Sequence, residues 1–147
     1  MSATLEFLQP DLIFVIEVAF YDAGISAGFP SPAQDFEEAR ISFDKEVFGT
    51  SPSTIFCAKV SGNSMINIGI EDGDIIAIDR VLKPQNGDIC VAVINDEFTL
   101  KTLKVEKDCV WLLPENDSYK PILVNDNEGF EIWGIVTHTL KNHRKRK

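Results

Sequence analysis

Short runs in which apolar and polar residues alternate fill most of the chain after Thr54. The runs are rich in β-branched and aromatic residues, which suit a pleated, half-buried strand. Turn-forming pairs such as Asp72-Gly73 and Asn95-Asp96 separate them. The pattern predicts six or seven strands within TIFCAKVSG, DGDIIAIDR, GDICVAVIN, EFTLKTLKV, CVWLLPEN, KPILV and EIWGIVTHTL. Because no long helical pattern accompanies them, we expect a compact, mostly-β domain.

Residues 1–35 have a different pattern, which predicts a short extended N-terminal arm before a domain over residues 36–147. The arm opens with an acidic and apolar stretch that contains LIFVIEVAF, and it continues into AGFPSPAQDF. Pro30 and Pro32 disfavour helix and keep the chain extended. Just beyond them, DFEEAR predicts a single helical turn.

Composition and charge narrow the possible functions. The chain has 147 residues, 44% of them hydrophobic, which is typical of one globular domain with a sizeable core. Its formal net charge of −9 means that the body of the protein repels nucleic acid. The basic tail HRKRK is the exception, and its ordinary interpretation is a solvated terminus.

The cysteines indicate a reducing, cytoplasmic compartment, since Cys57, Cys90 and Cys109 are odd in number and lack CxxC spacing. With only two histidines to add, the sequence predicts no metal and no cofactor. The segment LIFVIEVAF contains Glu17, is too short to span a bilayer and lacks the basic start of a signal peptide. We therefore expect a soluble protein.

A candidate nucleophile lies in SGNSM, where a predicted strand ends in a glycine turn. Such a turn exposes a serine hydroxyl and aligns backbone N–H groups that can bind an oxyanion. Ser61 and Ser64 both fit this position, and a plain turn is the commoner use of such residues. His138 and His143 are the histidines available as a base, but one alternates with apolar residues and the other lies in the basic tail.

Lysine is the better candidate for the base. In EFTLKTLKV, alternation divides the strand into two faces. One face holds Thr99, Lys101, Leu103 and Val105, and the other holds Phe98, Leu100, Thr102 and Lys104. A solvated lysine is neutral in only about one molecule in 2,500 at pH 7, whereas burial lowers its pKa and supplies the free amine. The alternative is a strand lysine whose ammonium reaches water.

The motifs VSGNSM and FTLKTL, in this order, resemble those of the self-cleaving Ser–Lys peptidases related to the LexA repressor. GDIIAIDR, NGDICVAVINDEFTLK and LLPEND are similar to successive strands of the same family, and AGFPSPAQDF is similar to the cleavage segment of its SOS mutagenesis branch. The resemblance implies a LexA/signal-peptidase-like β domain. It also implies Ser64 as nucleophile, Lys101 as general base, and the N–H groups of Ser64 and Met65 as oxyanion donors. The scissile bond would join Ala27 to Gly28.

The resemblance further implies cleavage stimulated by a RecA–single-stranded DNA filament. The shortened homodimer would then serve a UmuC-type Y-family polymerase, as in the DNA polymerase V complex, during translesion synthesis, with no membrane partner and no sequence-specific DNA binding. A LexA-type transcriptional repressor is a weaker alternative, because the segment before Ala27 has no Lys or Arg. A catalytically idle interaction module, with Lys101 solvated, is the other alternative.

Overall fold

The computed structural model describes residues 4–8, 17–21, 38–42, 45–46, 54–124 and 129–144 of the chain. Within these residues the dominant elements are strands, numbered here in chain order. They are β1 (Thr4–Leu8), β2 (Glu17–Tyr21), β3 (Glu38–Ser42), β4 (Ile55–Ser61), β5 (Ile75–Asp79), β6 (Ile89–Ile94), β7 (Glu97–Val105), β8 (Val110–Leu113), β9 (Ile122–Leu123) and β10 (Glu131–Leu140).

Eight of the strands form one antiparallel sheet in the order β1-β4-β5-β10-β6-β7-β8-β9. All seven strands that the alternation predicts, β4 to β10, lie in this sheet, so the mostly-β prediction is confirmed. Asn95 and Asp96 connect β6 to β7 with φ values of 51° and 67°. Positive φ at both central residues is typical of the tight turn whose twist matches a two-stranded ribbon.

Contacts divide the chain into two units, residues 1–10 with 53–147 and residues 11–52. The first unit holds the large sheet, and the second contains the antiparallel pair β2–β3, in register from Glu17↔Ser42 to Tyr21↔Glu38. The helical turn predicted for DFEEAR is wrong over residues 38–40, which lie in β3. One helical turn is costly to nucleate, and pairing with β2 outweighs it. The domain boundary at residue 35 stays a prediction.

Two clusters of buried side chains pack against the large sheet. One cluster packs around Met65, Val91 and Leu100, and a second packs around Cys90 and Leu103. Neighbouring residues on β6 and β7 therefore belong to different clusters, as alternation along a strand requires. Within the described residues, no helix is long and apolar enough to cross a membrane.

Strand β10 joins the two halves of the sheet, because it pairs with β6 through its first residues and with β5 through its last. Its register shifts between Ile132 and Gly134 and again between Val136 and His138. At Gly134 a Cβ atom would come within 2.5 Å of the Ile78 side chain and 3.3 Å of the Asp79 carbonyl oxygen. The close approach of β10 to β5 therefore requires glycine at this position.

Candidate active site

Lys101 lies in the middle of β7 with 3% of its surface exposed, so it is not a solvated strand residue. Its Nζ atom donates to the Thr99 hydroxyl at 2.9 Å and to the Leu100 carbonyl oxygen at 3.0 Å. A neutral amine has two N–H groups and one lone pair. After donating to these two acceptors, a neutral Lys101 keeps its lone pair available for a proton.

Burial lowers the pKa of the Lys101 amine below its ordinary value of 10.5. Cys90 is its register partner on β6, and a charge there would raise the lysine pKa by a smaller amount. Burial, assisted by the charge of Asp88, raises the pKa of the Cys90 thiol to about 12. The thiol is therefore uncharged near neutral pH, which leaves desolvation as the dominant influence on Lys101.

Ser64 lies in the loop between β4 and the short 3₁₀ turn Ile66–Ile68, and it is fully buried. The loop starts at Gly62, whose φ of 93° suits a residue without a Cβ atom. The Gly62 N–H donates to the Asp72 carboxylate at 3.0 Å. The Met65 side chain, 1% exposed, anchors the other side of the loop in the core. Both flanks of Ser64 are thus fixed before any substrate binds.

The segment after β8 holds the same loop through Asn63. The Asn116 side-chain amide donates to the Asn63 carbonyl oxygen at 2.8 Å, and the Tyr119 hydroxyl contacts Asn63 Oδ1 at 3.1 Å. Glu115 adds a backbone pair, because its N–H donates to the Ser64 carbonyl oxygen at 2.8 Å and its carbonyl accepts from Asn67 at 2.7 Å. The serine loop is therefore bound along its length to the chain that leaves β8.

These contacts connect the surroundings of Ser64 and Lys101. Met65 follows the serine, Leu100 precedes the lysine, and both side chains belong to one buried cluster. In addition, β8 ends at Leu113, which is the register partner of Thr102, so the segment that bonds Ser64 leaves the sheet beside Lys101. The fold thus brings the neighbourhoods of the two candidate residues together.

The competing candidates lie in less suitable places. Ser61 is exposed at the end of β4, opposite Thr4 of β1. Lys104 is exposed and forms an ion pair with Glu106 at 3.2 Å. His138 is exposed on β10, and its Nδ1 contacts the neighbouring Thr137 hydroxyl. None of the three combines a buried position with a place beside the serine loop.

An open cleft of about 640 Å³ borders the serine loop. Asn63 and Ile66 contribute to its wall, together with a mixed set of charged residues that includes Glu71, Asp74 and Lys141. Lys141 bridges the two carboxylates at 2.9 and 2.6 Å. The cleft lining does not include Ser64 or Lys101, so it is separate from the candidate dyad.

The predicted scissile residues, Ala27 and Gly28, lie outside the described residues. Asp72, Asn116 and Tyr119 hold the serine loop, but the sequence marked Asp72 only as a turn residue and gave no signal for the role of the other two. The motif LLPEND marked the segment that contains Asn116 as characteristic. Asn116 and its partner Asn63, however, are 53 positions apart in the chain, so their contact leaves no local pattern in the sequence.

Comparison with known proteins gives one family. The Peptidase S24-like family matches residues 19–137. Protein MucA of Salmonella typhimurium and Protein MucA of Escherichia coli are each 42% identical over 131 residues, which is 88% of this chain and 88% of the relative. The LexA repressor of Pectobacterium carotovorum subsp. carotovorum is 41% identical over 119 residues, covering 80% of this chain and 58% of the repressor. The chain therefore belongs to the Peptidase S24-like family, as a UmuD-like, self-cleaving serine peptidase of the SOS response.

Proposed function

We propose that Ser64 and Lys101 form the catalytic dyad and cut the chain between Ala27 and Gly28. The observation that carries the proposal is the buried Lys101 amine, whose pKa is lowered by burial in a strand beside the serine loop. A lysine of this kind has a far larger neutral fraction near pH 7 than a solvated one. It can therefore accept a proton from a serine hydroxyl.

The reaction has two balanced stages. In the first, the Ser64 hydroxyl proton moves to Lys101 Nζ while Oγ bonds to the Ala27 carbonyl carbon. The C–N bond then breaks, and Nζ returns the proton to the departing Gly28 amine, which leaves an acyl-serine. In the second, Lys101 takes a proton from water, the resulting hydroxide attacks the ester, and the proton returns to Ser64.

We assign stabilisation of the tetrahedral oxyanion to the backbone N–H groups of Ser64 and Met65. Support comes from the loop, which is held by the Met65 side chain in the core and by Glu115 at the Ser64 carbonyl. Donors that are already in position need no reorganisation when charge develops on the oxygen. Small residues on both sides of the bond also leave the Ala27 carbonyl open to attack.

The test measures intact mass after incubation at alkaline pH, where the free amine is most abundant. The unaltered chain should yield a fragment spanning residues 28–147, whereas Ser64→Ala and Lys101→Met should slow its appearance by at least about a hundredfold. Ser61→Ala and Lys104→Met are the matched controls and should cleave normally. Equal cleavage by Ser64→Ala, or a cut at another bond, would show that the assignment is wrong.

We further propose that a RecA–single-stranded DNA filament stimulates the cut, and that the shortened homodimer serves a UmuC-type Y-family polymerase in translesion synthesis. The relationship to MucA and LexA supports this role. Adding RecA, a slowly hydrolysed ATP analogue and single-stranded DNA at neutral pH should accelerate cleavage of the unaltered chain but not of Ser64→Ala. No acceleration under these conditions would remove RecA from the proposal.

A further inference from the structure

Strand β1 forms the edge of the large sheet next to β4. All five of its residues are in antiparallel register with that strand, from Thr4↔Ser61 to Leu8↔Cys57. The outer backbone groups of β4 are therefore occupied by residues that precede the proposed cut. Unpaired backbone groups at the edge of a sheet are a ready template for another extended segment.

The side chains of β1 also fill a specific place on the body. The Phe7 ring centroid lies 4.9 Å from that of Phe98 and 4.9 Å from that of Trp133. The ring centroids of Trp133 and Phe56 are 5.3 Å apart. The Arg80 guanidinium carbon lies 4.3 Å from the Trp133 ring centroid. Among the rings that the structure describes in this group, Phe7 is the member that belongs to the N-terminal segment.

Leu5 provides a second anchor, because it packs with Phe7 against the cluster that contains Val60 and Met65. The two anchors are two positions apart, which is the spacing of side chains on one face of a strand. The site that β1 occupies therefore recognises an extended backbone, an aliphatic side chain and an aromatic side chain two residues later.

We propose that the β4 edge and the rings of Phe56, Phe98 and Trp133 form a strand-binding site for a partner protein. β1 occupies the site in the intact chain. After a cut between Ala27 and Gly28, an extended partner segment with an aliphatic and an aromatic residue two positions apart takes its place. The biological trigger rests on the proposed self-cleavage, whereas the site itself rests on the sheet and ring contacts.

The cut leaves the strand-binding site unchanged but alters how well β1 competes with a partner segment for it. While β1 is tethered, its effective concentration is on the order of millimolar, so a free segment of similar affinity cannot displace it. Once the tether is cut, residues 1–27 are held by non-covalent pairing alone, β1 with β4 and β2 with β3. At nanomolar protein a fragment held in this way dissociates, and its concentration is then that of the protein. A partner strand can then bind by mass action, with main-chain hydrogen bonds supplying affinity and the ring pocket supplying specificity.

The test separates this site from the peptidase by cutting the chain with another enzyme. In a full chain carrying Ser64→Ala, residues 24–30 are replaced by the recognition sequence of an unrelated protease. The probe is a fluorescent synthetic peptide with the sequence of residues 1–12, and its anisotropy is measured at nanomolar protein before and after the cut. We expect the cut protein to bind the peptide at least about tenfold more tightly than the uncut protein.

Altered peptides and proteins show what is recognised. Phe7→Ala in the peptide, or Trp133→Leu in the protein, should weaken binding by about tenfold or more, because each removes the contact between the Phe7 and Trp133 rings. N-methylation of the peptide at positions 5 and 6 keeps both anchors but removes a strand hydrogen bond, since alternate N–H groups point at the partner. It should weaken binding comparably. Leu123→Ala, on the opposite edge strand, is the matched control and should bind normally.

Two outcomes would overturn the proposal. One is equal binding of the peptide by the cut and uncut proteins, which would mean that β1 does not occupy the site. The other is undiminished binding of the N-methylated peptide, which would indicate hydrophobic adhesion without strand pairing. Because an external protease makes the cut, neither outcome bears on Ser64 and Lys101, and failure of self-cleavage would leave this measurement unaffected.

Discussion

The Lys101 amine lies among buried strand residues and donates hydrogen bonds to two oxygens of its own strand. An ammonium in this position loses most of its hydration, which disfavours the charged form. Lys104, three residues later, is exposed to water and lies 3.2 Å from the Glu106 carboxylate. The two lysines of one strand thus differ in chemistry because of what covers each.

The buried amine should make stability depend on pH. Its folded pKa lies below the ordinary value of 10.5, so between these two values the unfolded chain binds more protons than the folded chain. In this window the free energy of unfolding should rise with pH, by at most about 1.4 kcal/mol per unit from this group. Urea unfolding at several pH values would compare Ser64→Ala with Ser64→Ala/Lys101→Met.

We subtract the free energy of unfolding of Ser64→Ala/Lys101→Met from that of Ser64→Ala. This difference should increase with pH through the window and level off above it. Lys104→Met in the same background is the control, and it should preserve the slope of Ser64→Ala. A difference that stays constant with pH would mean that Lys101 titrates as a solvated lysine.

Alternation within EFTLKTLKV grouped Thr99, Lys101, Leu103 and Val105 on one face, but it could not decide how much of that face is covered. Leu100, on the opposite face, is also buried, while Val105 at the end of the strand is 48% exposed. Burial at these positions depends on β6, β8 and the serine loop, which come from distant parts of the chain. Alternation separated Lys101 from Lys104, and the family motifs favoured a buried base over a lysine that reaches water.

Strand β10 illustrates how an element can be recognised from sequence while its function in the sheet is not. EIWGIVTHTL has enough β-branched and aromatic residues to predict a strand, and the prediction is confirmed. Its exchange of partners from β6 to β5, with two register shifts, depends on a backbone approach that only Gly134 permits. A glycine inside a strand pattern signals such an approach but does not identify the partner.

Gly134→Ala should therefore destabilise the fold. The added methyl group would lie 2.5 Å from Ile78, so the strands must shift or the side chain must change rotamer, at a cost of about 1–3 kcal/mol. Thermal and urea unfolding measure the effect. In a double-mutant cycle the same substitution should cost less in an Ile78→Ala background, because the atom it meets is gone. Equal costs in both backgrounds would contradict the steric explanation.

At the scale of the whole molecule, the proposed enzyme and its substrate belong to the same chain. A tethered substrate needs little intrinsic affinity, because the local concentration of the arm replaces binding energy. The first-order rate constant of self-cleavage should therefore stay unchanged over about a hundredfold dilution at fixed alkaline pH. Quantifying the fragment of residues 28–147 against time would check this. A rate constant that falls in proportion to dilution would show cutting between separate molecules.

The sheet order was beyond prediction from sequence. Local alternation identifies β4 to β10 one by one, but the placement of β10 between β5 and β6 joins strands that are distant in the chain. β1 was also missed, because its few residues gave no separate signal within an arm interpreted as extended. Its role depends on a groove built from Phe98 and Trp133, far downstream.

Cys90 offers a consequence for following this molecule in solution. Its thiol is buried opposite Lys101, and its pKa of about 12 keeps thiolate scarce, whereas Cys57 and Cys109 are only partly covered. A thiol reagent therefore reaches Cys90 only when β6 and β7 separate or the core opens. The rate of Cys90 alkylation therefore measures how often β6 and β7, the strand pair that holds the proposed base, open. Intact-mass analysis counts the alkyl groups added with time and detects the cleavage fragment in the same measurement.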